Sequence, residues 1–181
     1  MENFIINKIS PQTCDLVQKS ASIADLAAEI WREHYTPIIG AAQVEYMLAN
    51  FQSSGRIYSD IADNGYLYFT AEYPDGGEMA AYCACQPNDG YLLLSKLYVR
   101  RRFRGNGIAR RFLNELKTLC GSEYSFGKIR LTVNKYNSGS IAAYHKLGFT
   151  TVDSVVTDIG GGYVMDDYIM ELSLPPVAAL I

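Results

Sequence analysis

The stretch VRRRFRGNGIARRFL, Val99 to Leu113, decides the reading of this chain. It gathers arginines around two glycines in a protein of 181 residues whose formal net charge is −3. Just upstream, YLLLSKLYV is nearly continuous in apolar character, the pattern of a central strand buried on both faces. Just downstream, Ile108, Ala109, Phe112, Leu113, Leu116 and Leu119 recur at helical spacing, and Gly121 is expected to end that helix. Strand, basic glycine loop and helix therefore follow one another. The first amides of a helix have no intrahelical partner, and the helix dipole makes that end partly positive. Gly105 and Gly107 allow close backbone approach and positive φ, while Arg101, Arg102 and Arg104 add charge-assisted contacts. Such an arrangement binds phosphate; a solvated turn is the competing reading.

Two familiar phosphate motifs fail residue by residue. A dinucleotide fingerprint needs a third glycine where Arg110 stands. A P-loop needs Ser or Thr after Gly127-Lys128, where Ile129 stands, and a glycine at Ser122.

Working outward, residues 3–8 read as a short strand. Ile23, Leu26, Ala27, Ile30, Trp31 and His34 mark one face of an amphipathic helix, which Pro37 is expected to end. Val44, Met47, Leu48 and Phe51 repeat the pattern, and a shorter helix carries Ile57 and Ile61, with Gly65 in the capping position. The period then changes. YLYFTAEY, EMAAYCAC and YLLLSKLYV are strands joined by the turns PDGG and QPNDG. After the arginine loop and its helix come the strand KIRLTV and the helix NSGSIAAYHKLG, with Asn137 as N-cap and Gly148 as its terminal glycine. Two strands near 150–158 and 163–172, joined by IGGG, complete a hairpin. The expectation is an α+β fold: a single mixed, mostly antiparallel sheet flanked by helices, in one domain over 1–174 with a tail at 175–181.

Apolar residues make up 49% of the chain and charged residues 19%, which suits a globular protein. A pI near 5.4 argues against general nucleic-acid binding. The start MENFIINKIS lacks the order of a secretory leader, and no apolar run approaches the roughly 20 residues of a membrane helix. Cys83 and Cys85 are placed to point to one face of a strand, and no second Cys/His pair completes a zinc set. The expectations are a cytoplasmic protein with buried thiols, no metal, no nucleic acid and no membrane partner; edge strands and the apolar tail leave a homodimer open.

A third loop pattern fits. Arg102-x-x-Gly105-x-Gly107 resembles the R/Q-x-x-G-x-G/A loop of the GCN5-related N-acetyltransferases (GNAT), and LTVNKYNSGSIAAYHKLGF resembles the segment that follows it there, with Asn134, Asn137, Ile141, Tyr144, Lys146, Gly148 and Phe149 at matching positions. The similarity covers residues 78–172. The N-terminal IWREHYTPIIGAAQVEYML and the C-terminal GGYVMDDYIMEL resemble a small bacterial branch that includes polyamine acetyltransferase-like members.

The resemblance implies the GNAT acyl-CoA N-acyltransferase fold, acetyl-CoA as co-substrate, and direct attack of a primary amine on the thioester. The acceptor amine belongs to a small molecule, a polyamine being one candidate, or to a protein N-terminus. It implies that Arg102, Arg104, Gly105, Asn106, Gly107, Ile108 and Ala109 hold the pyrophosphate and that backbone groups of Leu97 and Val99 pair with the pantetheine arm. An amide near Tyr98 and Val99 would stabilise the oxyanion. Asn137 either contacts the arm or serves only as N-cap. Tyr144 is the implied general acid for the leaving thiolate, against a reading as a core aromatic. The central strand offers no carboxylate where many relatives carry a Glu, so the base is left among water, His34, Asp166 and Asp167. Tyr35, Tyr46 and Asp166 are candidates for the acceptor site. The alternative is a non-catalytic acyl-CoA-binding module of the same fold.

Overall fold

The hydrophobic period changes from helical to alternating near Tyr66, and there helices give way to strands. The structure is a computed structural model that describes residues 4–74 and 77–175. β1 (Ile5–Ile9) precedes α1 (Leu16–His34), the short α2 (Thr36–Ile39), α3 (Ala41–Phe51) and α4 (Ser54–Ala62). Then come β2 (Leu67–Glu72), β3 (Met79–Asn88) and β4 (Tyr91–Val99), followed by α5 (Ile108–Leu119), β5 (Lys128–Asn134), α6 (Ser138–Lys146), β6 (Thr150–Gly160) and β7 (Tyr163–Ser173). The seven strands form one sheet in the order β1-β2-β3-β4-β5-β7-β6. β4 and β5 run parallel, with Leu92 opposite Ile129. The pairs β1–β2, β2–β3, β5–β7 and β6–β7 are antiparallel. This is the mixed, mostly antiparallel sheet with flanking helices that the sequence implies.

By proximity the chain divides into two compact units, Met1–Cys85 with Lys96–Phe112, and Gln86–Ser95 with Leu113–Ile181. In the first, Ile23, Leu26, Ala27, Ile30 and Trp31 of α1 are buried, as are Val44, Met47 and Leu48 of α3 and Ile57 and Ile61 of α4. Each buried Val, Leu, Ile or Met among them contributes about 1.5–3 kcal/mol on removal from water. Tyr68 and Tyr82 are wholly buried and keep their hydroxyls satisfied, on Asp60 Oδ2 and Gln52 Oε1, each at 3.2 Å. In the second unit, Leu116 and Leu119 of α5, Ile129, Leu131 and Val133 of β5, Phe149, and Met170 and Leu172 of β7 are buried. Gly148 has φ +98°, and a Cβ there would meet Leu172 Cδ1 at 3.2 Å, so this helix exit requires glycine.

Several expectations need correction. β4 is central but not buried on both faces: Leu92, Leu94 and Lys96 are buried, while Ser95 is exposed and Leu93, Leu97 and Val99 are half-buried. Pro37 does not stop α1, which ends at His34; it sits in the first turn of α2, where a missing amide costs nothing. Gly65 lies beyond the α4 cap, which is Asp63. Gly121 does not end the α5 segment but lies within a π turn, Cys120–Tyr124, closed by Ser125 in a left-handed conformation. The QPNDG turn is shorter than its composition suggests, because β3 runs on to Asn88 and leaves Asp89 and Gly90 to reverse the chain. The IGGG hairpin does form: Gly160 pairs with Tyr163, and Gly161 and Gly162 have φ of +64° and +80°, as a two-residue turn between twisted strands demands. Most of the expected tail, 176–181, lies outside the described residues.

Candidate active site

The basic loop belongs to the first unit and is built by three devices. A 3-10 turn, Arg101–Phe103, turns the chain sharply after β4. Phe103 is buried and packs edge-on against Phe4 and Tyr73, at centroid distances of 5.8 and 5.3 Å, which fastens the loop to its unit. Gly105 and Gly107 then hold φ of +83° and +79°, and a Cβ at either would meet nothing within 4 Å. Glycine is needed there for backbone conformation, and the space beside it is open. The Arg111 amide donates to the Gly107 carbonyl at 3.1 Å, the first bond of α5. The amides of Ile108, Ala109 and Arg110 thus fall in the first turn, which has no intrahelical acceptors. A helix start with glycines and first-turn amides of this kind is one that can hold a phosphate group.

The arginines are arranged differently from a set of free cations. Arg104 donates from Nε to the Val99 carbonyl at 3.0 Å. Arg102 pairs with Glu78 and lies over the Phe103 ring at 4.9 Å. Arg100, mostly buried, bridges Glu29 at 2.9 Å and also Glu78, while Arg101 reaches Glu33 at 3.3 Å. These six residues, Glu29, Glu33, Glu78, Arg100, Arg101 and Arg102, line a cleft of about 620 Å³. The sequence reading missed the three carboxylates, because nothing local links Glu29 and Glu33 of α1 or Glu78 before β3 to the loop.

On the buried face of β4, Lys96 Nζ lies 3.1 Å from Asp60 Oδ2. Asp60 is fully buried on α4, and it also accepts from Arg56 Nε at 2.7 Å and from Tyr68. Lys96 stands 5.0 and 5.3 Å from the centroids of Tyr66 and Tyr68. Burial pulls the Lys96 ammonium below its ordinary value, with Asp60 opposing that shift. The only sequence signal for this cluster was the i,i+4 spacing of Arg56 and Asp60. Tyr35 stacks on Trp31 at 4.5 Å and faces Tyr98 edge-on at 6.3 Å, with His34 edge-on to Tyr35 at 4.9 Å. Tyr46 is half-buried on α3 and meets Phe51 edge-on at 6.3 Å.

In the second unit, Asn137 is buried and caps α6, its Oδ1 accepting from the Ser140 amide at 3.2 Å. Tyr144 is half-buried on α6 and meets Phe149 edge-on at 5.7 Å. Asp166 is tied to Lys135 at 2.5 Å, whereas its neighbour Asp167 is buried. Asp166 and Asp167 thus point to different surroundings, as alternation along β7 requires. Leu97 and Val99 lie at the end of β4, Asn106 in the loop and Ala109 in the first turn of α5.

Among the described residues there is no disulfide, Cys83, Cys85 and Cys120 are buried, and no group of His, Cys, Asp and Glu is placed to hold a metal. No described helix is long and apolar enough to cross a membrane.

Strand, glycine loop and helix on a mixed sheet define an acyl-CoA N-acyltransferase architecture. The chain belongs to the Acetyltransferase (GNAT) family, whose sequence pattern matches residues 23–149, and it is an N-acetyltransferase by class. No curated protein matches it in sequence. Among solved structures it is similar to the PaiA N-acetyltransferase of Thermoplasma acidophilum, determined in complex with coenzyme A: 20% identity, TM-score 0.75, covering 94% of this chain and 99% of that one. A GCN5-related N-acetyltransferase from Rhodopseudomonas palustris gives 14% identity and TM-score 0.74, covering 96% and 98%. NAA60 of Arabidopsis thaliana, in complex with a bisubstrate analogue, gives 16% and 0.65, covering 96% and 99%. At these identities the likeness is one of fold.

Proposed function

We propose that this protein transfers acetyl from acetyl-CoA to a primary amine of a small molecule, with polyamines the first class to test and protein N-termini the second. The observation that carries this reading is the glycine cradle at the start of α5. Gly105 and Gly107 are held in the left-handed region with open space beside them, in front of unpaired first-turn amides. Amides of residues 105–109 hold the pyrophosphate, those of Phe103 and Arg104 being bonded to the carbonyls of Arg100 and Arg101 at 2.9 and 3.2 Å, and Arg104 keeps the loop closed on Val99. Backbone groups of Leu97 and Val99 pair with the pantetheine arm, and an amide near Tyr98 polarises the thioester carbonyl. Tyr144 gives its phenolic proton to the departing sulfur. Tyr35 and Tyr98 border the acceptor, and their ring faces suit an alkylammonium.

A non-catalytic acyl-CoA-binding module is the second reading. It is favoured by β4, which presents exposed Ser95 and an ion-paired Lys96 but no carboxylate. Release of free thiol from acetyl-CoA with a panel of polyamines, amino acids and peptides decides between them. Saturable, amine-dependent release with an acetylated product supports the transferase. Tight coenzyme A binding without turnover on any amine supports the module.

A further inference from the structure

Lys96, Tyr98 and Arg100 alternate along β4 and so project to one face of the strand. Their neighbours agree: Lys96 meets Asp60 of α4, Tyr98 meets Trp31 and Tyr35, and Arg100 meets Glu29 of α1. All of these residues belong to one compact unit. The acceptor proposed above borders Tyr98. Lys96 is the next side chain on that face toward the start of the strand, its Cα about 6.8 Å away.

Lys96 is 7% exposed, so its immediate partners set its charge balance. Asp60 Oδ2 takes one of the three ammonium donors, at 3.1 Å. The rings of Tyr66 and Tyr68 stand at 5.0 and 5.3 Å, and a ring face offsets charge without accepting a full hydrogen bond. Asp60 is itself shared. Its Oδ1 accepts from Arg56 Nε at 2.7 Å, and its Oδ2 accepts from the Tyr68 hydroxyl at 3.2 Å. One carboxylate thus serves two cations, and among the described residues no second acid bears on either. Two cations against one carboxylate leave one positive charge in excess. Arg56 and Tyr68 already satisfy Asp60, so holding α4 in place does not call for Lys96. A buried ammonium beyond that need is costly unless an anion completes it. The cluster also meets solvent: 44% of the Arg56 side chain is exposed, and Tyr66 is half-buried.

We propose that Lys96 is a specificity-determining residue for the acceptor, taking a carboxylate at the far end of the amine. The inference rests on the transferase reading above and narrows its small-molecule acceptor to an amine that carries an acid group a few carbons away. Polyamines, which bring a second cation to that point, become the class it selects against. The amino end lies against the ring faces of Tyr35 and Tyr98. The carboxylate enters the positive field of Lys96 and Arg56 and completes the charge that Asp60 balances only in part. The step from Tyr98 to Lys96 along the strand suits an ω-amino acid of about four carbons.

The test uses three amines of one length whose far ends are negative, neutral and positive: γ-aminobutyrate, γ-aminobutyramide and putrescine. Steady-state kcat/KM is measured for each in wild type and in Lys96→Met. Wild type should favour the acid over the amide by roughly 10- to 100-fold, the range of one charge-assisted hydrogen bond, and should place putrescine last. Lys96→Met should bring the three together. The loss for the acid should fall on KM, because the carboxylate is remote from the reacting atoms. A merely structural defect would lower all three alike. That result, or a wild type that shows no preference or prefers putrescine, overturns the assignment. If Lys96→Met folds poorly, Arg56→Gln serves: it removes the excess charge from the exposed side of the cluster. The preference for the acid should then shrink, and an unchanged preference contradicts the charge argument.

A second readout needs no turnover. A large excess of γ-aminobutyrate, added to the coenzyme A complex, should raise the melting temperature of wild type and not that of Lys96→Met. An equal shift in both proteins overturns the assignment. A wild type that shows the shift but acetylates none of the amines contradicts the transferase reading and keeps the anion site. A wild type that acetylates amines with neither the shift nor the preference contradicts the Lys96 assignment alone, and one with neither shift nor activity contradicts both.

Discussion

Arg104 reaches back from the loop and donates from Nε to the carbonyl of Val99 at 3.0 Å, while Arg102, two residues earlier, is paired with Glu78. The two arginines of the loop pattern therefore differ in what they can offer a pyrophosphate. Arg104→Ala removes both a charge and the bond that closes the loop on its strand. Coenzyme A affinity should fall roughly tenfold, the size of one charge-assisted hydrogen bond, and part of the loss should persist at high salt. Arg102→Ala should cost less, because Glu78 already offsets that charge, and Arg111→Ala on the helix should cost least. Equal losses at all three in calorimetric titrations would indicate a diffuse basic patch.

Glu78 makes the complementary prediction. It holds Arg100 and Arg102 at once, so it acts as an internal anion beside the phosphate cradle. Glu78→Gln frees Arg102 while Arg100 keeps Glu29, and should tighten coenzyme A binding severalfold with a steeper salt dependence, since exposed charges are screened. Weaker binding in this variant would mean that Glu78 orders the loop and does not compete with the ligand.

Gly107 has φ +79° with open space around it. Gly107→Val should leave a folded protein, strained by about 1–2 kcal/mol for the left-handed backbone, whose binding of coenzyme A is abolished because the side chain fills the cradle. The melting curve should shift down by only the few degrees that such strain costs, while the binding isotherm is lost.

Asp60 is predicted to matter for stability. Asp60→Ala strands a buried Lys96 and should cost about 3–5 kcal/mol, the penalty for an uncompensated buried charge. Adding Lys96→Met removes that charge and should restore much of the loss in denaturant unfolding. Additive effects would show that the pair is not coupled.

Tyr144→Phe keeps the ring that meets Phe149 edge-on and removes only the hydroxyl. KM should change little while kcat falls by roughly 10²-fold, the lower end for a lost general acid, because coenzyme A thiolate is itself a fair leaving group. A well-folded Phe variant with near-normal kcat, where chemistry limits the rate, would leave proton delivery to water.

Much of this could be read from local pattern. Helices α3 and α6, strand β5, the glycine hairpin at Gly160–Gly162 and the loop around Gly105 and Gly107 are set by short-range chemistry: hydrophobic period, an Asn cap, positive φ. What stayed hidden is long-range. Glu78 meets Arg102 from 24 residues away, and Lys96 meets Asp60 from 36. An apolar run cannot tell a strand buried on both faces from one with a single buried face, and β4 proved the latter. Asp167 was visible as a residue beside Asp166, but its burial depends on the register of β7 between β5 and β6.

The central claim, that the loop after β4 binds coenzyme A as an acetyltransferase must, is tested most directly by titrating isotope-labelled protein with coenzyme A and following backbone amide resonances. Saturable shifts concentrated at the amides of residues 105–109, lost in Gly107→Val, are the predicted result. Saturable binding whose shifts leave Gly105, Gly107, Ile108 and Ala109 unmoved would contradict it.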